Sequence, residues 1–487
     1  MAPDVSYPRR IYPLSPRDLS EEQLAVAFAM TSRRPEPFDE IAQRVTEEKA
    51  ADFHERWVLG YGHASVAEHA VIHMAVENLS RLACDTLEDN RLASYTEKSS
   101  RYQLLPSGYY YVPPELDQDP ALRRLYTGAC DALFSAYETL VDVLLRDLAT
   151  VRPKRDGERD SAFNLRLRRE ATDSCRFILP AATLTNVGVT MNARTMEHAI
   201  SKLLTSDLAE ERELAEELKA QGRRITPTLI KYADANPYLA AARQTQTQQT
   251  ADVDGASPDS HITARLVHHD PQADVKLAAA LAYRYSDAPY QQAWDRALAM
   301  SPQARWDLIA ACLQRLGPHD APLREFELVD YTFELVMDYG AYREFKRHRI
   351  QTYIPQPLTV LHGVLVPPLL RDAGLEPRFT DEVNRAEEAF HQVRASIPAV
   401  APYLVTHAHL RRLITKANLR ECFHLFKLRT QSQAHFSIRK VMDQALHLAV
   451  DVHPQLFRHL PLREYPEWWP FPARQESTGN PGFLPGA

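Results

Sequence analysis

Four consecutive residues, Lys346-Arg347-His348-Arg349, can each carry positive charge. In an extended segment Arg347 and Arg349 would point the same way. Two guanidinium forks on one side suit a phosphate or pyrophosphate, and the imidazole between them can donate or accept a proton. The plain alternative is a solvated basic patch at a helix end, where the helix dipole favours cations. A second stretch, Ser94-x2-Glu97-x-Ser99-Ser100-Arg101-Tyr102, gathers hydroxyls, a carboxylate and a guanidinium in one loop. Such a loop can hold a nucleotide, with Ser and Arg on phosphate and the carboxylate accepting from ribose hydroxyls. It can also be a polar turn closed by local Ser-to-backbone bonds. A third stretch, Gly62-His63-x-Ser65-x2-Glu68-His69, has the composition of a metal site but not its spacing. It matches neither HExxH nor HxxEH, and no metal is expected. Neither GxxxxGK nor GxGxxG occurs, and glycine is scarce, at 15 residues. Any phosphate must therefore be held by side chains, arginine above all.

The elements around these stretches recur. Val71 to Leu79 alternates apolar and polar residues as a half-buried strand does. Ser80 can then cap a short helix through Asp89. Arg91-x2-Ser94-Tyr95, Gly108 and Val112-Pro113-Pro114 follow. Asp119-Pro120 opens a helix with an apolar face of Leu122, Leu125, Ala129, Leu133 and Ala136. Asn192-x-Arg194-x3-His198 ends the series. Later the order returns: a strand from Val329 to Met337, a short helix from Tyr339 to Lys346, and Arg349-x2-Thr352-Tyr353. Gly363, Val366-Pro367-Pro368, a helix faced by Val383, Ala386, Phe390 and Val393, and Asn418-x-Arg420-x3-His424 complete it. Five matches in one order indicate a duplication, with copies over 25–243 and 262–465. A polar stretch at 244–261 reads as the linker, 1–24 as a lead and 466–487 as a Pro/Gly-rich tail. The mixture of strands and helices predicts an α+β fold rather than a βαβ series.

The formal charge of −7 argues against a broad nucleic-acid surface, so no polymeric nucleic acid is expected as partner. No stretch approaches the roughly 18 to 20 apolar residues of a membrane span, and no signal peptide is evident. The five cysteines are scattered without a CxxC, which fits a reducing cytoplasm.

Together the motifs resemble the flavin-dependent thymidylate synthase family. The first copy matches through His63, Ser65, Glu68 and His69, then Arg91, Ser94, Glu97, Ser99, Arg101 and Tyr102, then Cys175-Arg176 to Pro180, and Asn192-x-Arg194. The second matches through Arg347-His348-Arg349, Asn418-x-Arg420 and Leu428-Arg429. The resemblance implies two copies of that family's fold, each a mixed or antiparallel sheet with packed helices. It also implies FAD as cofactor, NADPH and 5,10-methylenetetrahydrofolate as co-substrates, and methylation of dUMP to dTMP without a cysteine nucleophile.

Each copy keeps only part of the family's pattern. In copy one the arginine-histidine-arginine triplet reads Asp89-Asn90-Arg91, while Glu97, Ser99, Ser100 and Arg101 are intact. In copy two the triplet is intact, but the nucleotide loop reads Ile354-Pro355-Gln356-Pro357-Leu358. Arg176 survives in copy one, where copy two has Pro402; Arg429 survives in copy two, where copy one has Leu203 beside Lys202. Glu327 stands where copy one has Glu68, and Glu344 where the family often has Gln. The losses are largely complementary, which implies one composite site.

In that site Arg347, His348 and Arg349 contact FAD, with His63, Ser65, Glu68, Arg91, Asn192, Arg194, Asn418 and Arg420 as further candidates. Glu97, Ser99, Ser100 and Arg101 take the nucleotide, and Arg176 and Arg429 contact it too, as the catalytic candidates. A homodimer would mimic the family's tetramer. A flavoenzyme on another pyrimidine nucleotide, or a non-catalytic flavin- or nucleotide-binding paralogue, are the alternatives.

Overall fold

The computed structural model describes residues 10–14, 16–32, 34–60, 63–101, 103–249, 261–317 and 319–472. Two antiparallel sheets carry the repeat. The first has strands β1 (Val71–Ser80), β2 (Ala93–Glu97) and β3 (Leu184–Asn192) in the order β1-β3-β2. The second has β4 (Thr263–His269), β5 (Asp330–Asp338), β6 (Thr352–Pro355) and β7 (Leu410–Asn418) in the order β4-β5-β7-β6. Without β4 the two orders are the same. The register repeats where each first helix begins, Ser80 facing Leu184 and Asp338 facing Leu410, while a bulge between Val76 and Leu79 shifts the rest of β1 by one residue.

The shared local chemistry explains this likeness. Ser80 accepts from the Ala83 amide and starts the Arg81–Leu87 helix; Asp338 accepts from Ala341 and starts Tyr339–Phe345. Each cap turns the chain out of its first strand at the same place. Gly108 and Gly363 both adopt positive φ, at 75° and 81°, where a Cβ would be strained. Each leads into an isolated bridge to the segment before the last strand, Tyr110 to Thr183 and Val364 to His409. The inner face of β3 is Thr185, Val187, Val189 and Met191, and that of β5 begins with Tyr331, Phe333 and Leu335. Both follow the period of two that a one-sided sheet requires.

The chain forms two compact units, Met1–Gly255 with Asp372–Leu404, and Ala256–Arg371 with Val405–Ala487. They differ from the repeated copies in one respect: 372–404, within the second copy, belongs to the first unit. Its helix Glu376–Ser396 buries Phe379, Val383, Ala386, Phe390 and Val393 and packs on the long helix Pro120–Val151. That helix starts at Asp119, whose side chain accepts from Ala121 and Leu122, and buries Leu122, Tyr126, Leu133, Tyr137 and Leu144. Tyr403 completes the attachment, accepting from the Ala182 amide at 2.8 Å and donating to the buried Glu210 at 2.7 Å.

The stretch read as a linker is helical at its start. Helix Pro237–Gln249 runs into it, and 250–260 lie outside the described residues. In the tail Trp468 donates to Asp443 and stacks on His447, and 473–487 lie outside the described residues. The lead ends in structure too, because Ser20 and Gln23 form a capping box for helix Glu21–Met30. No helix among the described residues is long and apolar enough to cross a membrane.

Candidate functional site

In the second unit the charged triplet follows the Tyr339–Phe345 helix in a turn, not in an extended segment. The turn still separates its members. Arg347 is exposed, His348 is buried and Arg349 lies between. Neither arginine makes a hydrogen bond or ion pair with the described residues. His348, by contrast, is held on both sides. Its Nδ1 lies 3.0 Å from Glu421 Oε1, and its Nε2 lies 3.0 Å from Arg429 Nε.

A guanidinium can only donate, so Nε2 must present a lone pair and Nδ1 must carry the proton given to Glu421. The neutral imidazole follows from its surroundings. Burial, and then the charge of Arg429, lower its pKa to about 3. Burial pushes the Glu421 carboxyl up to about 7, with His424 opposing. Burial also lowers Arg429, while Glu344, 3.5 Å from its Nη1, works the other way.

Glu421 is placed by its helix, Leu419–Arg429, whose cap Asn418 accepts from the Glu421 amide at 2.8 Å. Asn192 caps Ala193–Leu204 in the same way, accepting from Thr195 at 2.8 Å. The following arginines are ion-paired, Arg420 to Glu327 at 2.6 Å and Arg194 to Glu68. These matching pairs make Glu327 the counterpart of Glu68. Both asparagines therefore hold helix ends. Asn192→Ala is expected to lower stability by about 1 kcal/mol, the usual effect of losing such a cap, read from the midpoint of urea unfolding.

The corresponding position in the first unit has been refilled. Asn90 is buried, and its Nδ2 donates to Leu87 O at 2.8 Å. Thr195 stands where copy two has Glu421, Leu203 where it has Arg429, and Thr86 where it has Glu344. Leu203 lies fully buried in the apolar core. Asp89, in place of Arg347, receives Lys202 at its backbone oxygen, 2.8 Å, and its carboxylate, 3.4 Å. His63, Ser65, Glu68, Arg91 and Arg194 are exposed, and Asn192 is partly buried.

The first unit keeps a different cluster. Glu97, at the end of β2, is 5% exposed and accepts from Arg81 Nη1 and Thr185 Oγ1, both at 3.0 Å. Ser99 accepts from the Arg101 amide at 3.2 Å, the local turn bond that hydroxyls favour, and Ser100 is buried. Arg101 grips Asp173 with Nε and Nη2, each at 3.0 Å, and Arg176 Nε reaches the same carboxylate at 3.0 Å. Two guanidiniums from separate segments thus converge on one anion. Asp173 was not among the residues singled out from sequence; its signal was its place three residues before Arg176 on one helical face.

Among the described residues one group with possible metal ligands, Cys84, Glu88 and Glu97, has ligand atoms within 4.8 Å of one another. Arg81 already neutralises Glu97, which disfavours a cation there. Burial raises the thiols of Cys130, Cys175, Cys312 and Cys422, so none of these is a ready nucleophile.

Comparison with known proteins matches the family of thymidylate synthase complementing proteins twice, over residues 17–228 and 265–455. The chain belongs to this family. It is a tandem duplication of the flavin-dependent thymidylate synthase domain, with two divergent copies. A UPF0159 protein of Chlamydia muridarum is 29% identical over 436 residues, covering 86% of this chain and 82% of the relative. A flavin-dependent thymidylate synthase of Clostridium tetani is 29% identical over 213 residues, covering 44% of this chain and 82% of the relative. The first relative spans both copies of the family domain, whereas the second has the length of one. A solved UMP/dUMP methylase, PolB from Streptomyces cacaoi with 5-Br dUMP, is 19% identical with a TM-score of 0.34, covering 42% of this chain and 96% of that one.

Proposed function

We propose that this protein is an FAD-dependent enzyme that methylates dUMP to dTMP with 5,10-methylenetetrahydrofolate and NADPH. In this reading it acts in the cytoplasm, at one composite site to which both copies contribute. The observation that carries the proposal is the division of labour. One copy retains the buried His348 relay with two unengaged arginines, and the other retains Arg101 and Arg176 on a shared carboxylate. Neither copy has both.

The donors fit the cofactor. Arg347 and Arg349 have guanidiniums available for a pyrophosphate, and His348 stands between them as a neutral, fixed side chain. FAD, when bound, would supply the two-electron reduction, and the folate would supply the one-carbon unit. His63, Ser65, Glu68, Arg91, Arg194, Asn192, Asn418 and Arg420 would frame the dinucleotide, the asparagines through the helix ends they hold. Arg101 and Arg176 would hold the nucleotide phosphate, with Ser99 and Ser100 beside it and Glu97 fixing the loop. Arg429 would draw charge toward a uracil carbonyl, so that the ring can accept a carbon at C5 without a thiolate. A homodimer would bring four family domains together.

Glu344 favours a second reading, the same chemistry on another pyrimidine nucleotide. It places a carboxylate 3.5 Å from Arg429, an acceptor where an amide would both donate and accept.

The test is tritium release from dUMP or UMP labelled at C5, with chromatography of the product. Formation of dTMP that requires NADPH and the folate supports the first reading, and turnover of UMP alone supports the second. Flavin and nucleotide binding without either product would leave a non-catalytic paralogue. Arg349→Ala is expected to weaken flavin binding roughly tenfold to a hundredfold, the range of one charge-assisted hydrogen bond, measured by quenching of flavin fluorescence.

A further inference from the structure

Arg429 reaches His348 through Nε, the one guanidinium nitrogen inside the side-chain stem. A bond there fixes the plane of the fork, with Nη1 3.5 Å from Glu344, and does not use Nη1 or Nη2. The bond exists only while His348 Nε2 is unprotonated. An imidazole alone distributes its proton between both nitrogens, so something must hold it on Nδ1. Glu421 is 3.0 Å from Nδ1, is 6% exposed, and is itself fixed by the start of its helix through Asn418.

We propose that Glu421 is a positioning residue, which sets the tautomer of His348 and through it the orientation of Arg429. The inference rests on the reading that Arg429 acts on the bound base. Glu421 touches neither substrate nor cofactor in this scheme. Its carboxylate accepts from Nδ1–H, Nε2 accepts from Arg429, and the guanidinium is turned before any ligand arrives. Glu344 limits the same guanidinium from the other side, at Nη1.

The first copy shows what happens when the set is dismantled. With Thr195 in place of Glu421, histidine, arginine and the second carboxylate are all replaced as well, by Asn90, Leu203 and Thr86. A buried neutral histidine facing a buried guanidinium is tolerable only if its tautomer is dictated, because the wrong one points N–H at N–H.

The scheme implies a pH dependence of definite sign. Protonating Glu421 removes the acceptor that favours Nδ1–H. It also creates an O–H that can donate to Nδ1, which would move the ring proton to Nε2 and against Arg429. Activity should therefore fall as pH falls, by loss of orientation. The charged groups around Glu421 are His348 from the turn and His424 on its own helix, whose ring is 5.2 Å from that of His348. Arg429 and Glu344 lie beyond His348, and Lys427 acts on His424.

The experiment compares wild type, Glu421→Gln and Glu421→Met, with His348→Asn to assign the resonance, after selective labelling of histidine with nitrogen-15. In wild type the His348 signals should show Nδ1 protonated and Nε2 bare above the Glu421 carboxyl's titration at about 7, and should shift toward the other tautomer as pH falls through it. Glu421→Gln, whose amide oxygen can still accept, should keep that state. Glu421→Met should show a mixed or titrating ring. In turnover, Glu421→Met should lower kcat roughly tenfold to a hundredfold with a smaller change in KM. Glu421→Gln should rescue most of that loss and flatten the acid limb of the profile.

A wild-type His348 that carries its proton on Nε2 above that titration would overturn the proposal, as would a Met variant with unaltered tautomer and kcat. If no uracil nucleotide turns over in wild type, the functional reading fails, and the tautomer still decides the positioning role. If the Met variant does not fold, the Gln variant decides through its acid limb, or through its tautomer where there is no turnover.

Discussion

Arg101→Ala is expected to weaken dUMP binding roughly tenfold to a hundredfold, and Arg101→Ala with Arg176→Ala by more than either alone. Both guanidiniums meet Asp173, and that carboxylate uses only some of their donors. Arg101 presents Nε and Nη2 to it, and Arg176 presents Nε. Two partly buried cations held together by one anion repel each other less than they would alone, and they remain aimed at a common point. A phosphate arriving there would gain from both charges without paying to assemble them. Asp173→Asn separates holding from binding. It should lower the stability of the ligand-free protein by about 1–3 kcal/mol, since two guanidiniums lose their counter-charge. The nucleotide should then raise the melting temperature of this variant more than that of wild type, because its phosphate replaces what was removed. Isothermal titration with dUMP and thermal unfolding with and without it measure both effects. Unaltered dUMP affinity in Arg101→Ala would remove the loop from the binding site.

Much of the local structure was legible in the residues. Ser80 and Asp119 cap the helices that their position predicts, and the alternation of β1 and β5 matches strands. The paired glycines, Gly108 and Gly363, have positive φ at corresponding points of the repeat. What could not be read was which surface an apolar face would meet. Phe379, Val383, Phe390 and Val393 announce a one-sided helix, but spacing does not say that its partner is the first copy's long helix. Likewise β4 adds an edge to one sheet from a stretch whose alternation is interrupted by His268 and His269. In the site, the arginines and His348 stood out because their types are rare together. Asp173 and Glu421 did not, since an acid within a helix is ordinary until a tertiary contact gives it a cation or an imidazole.

The pattern of loss in copy one has a physical reason. A buried charge is tolerable when its partners are present and costly when one is missing. Removing the arginine from a set like that of copy two would take one cation from Glu344 and leave the Nε2 lone pair of His348 without a donor. Removing the histidine would leave Glu421 buried without a donor. Such a set is therefore retained whole or replaced whole. Copy one has Asn90, Thr195, Leu203 and Thr86 at the four places, which bury no formal charge. Lys202 and Asp89 instead make an ion pair nearer the surface. The nucleotide loop of copy two shows the same logic: Pro355 and Pro357 flank Gln356, whose amide donates to Arg412 O, and no hydroxyl remains between Ile354 and Leu358.

Arg429→Lys should have the largest effect on turnover, a fall in kcat/KM of roughly a hundredfold to a thousandfold, comparable to removing one aimed donor from a developing negative charge. The charge survives in this variant, so a purely electrostatic role would be largely preserved. Geometry is what changes. Lysine has no planar fork and no donor partway along its stem, so it cannot bond His348 while presenting two further N–H groups. Its ammonium would settle on Glu344 or on Nε2 of His348, and either choice draws it away from a base. Nucleotide affinity should fall much less than kcat, since in the proposed site the phosphate would be held by Arg101 and Arg176 instead. Steady-state kinetics on dUMP and direct binding of dUMP separate the two. Near-normal kcat in Arg429→Lys would mean that charge alone suffices, and equal losses in affinity and turnover would place Arg429 among the phosphate ligands instead.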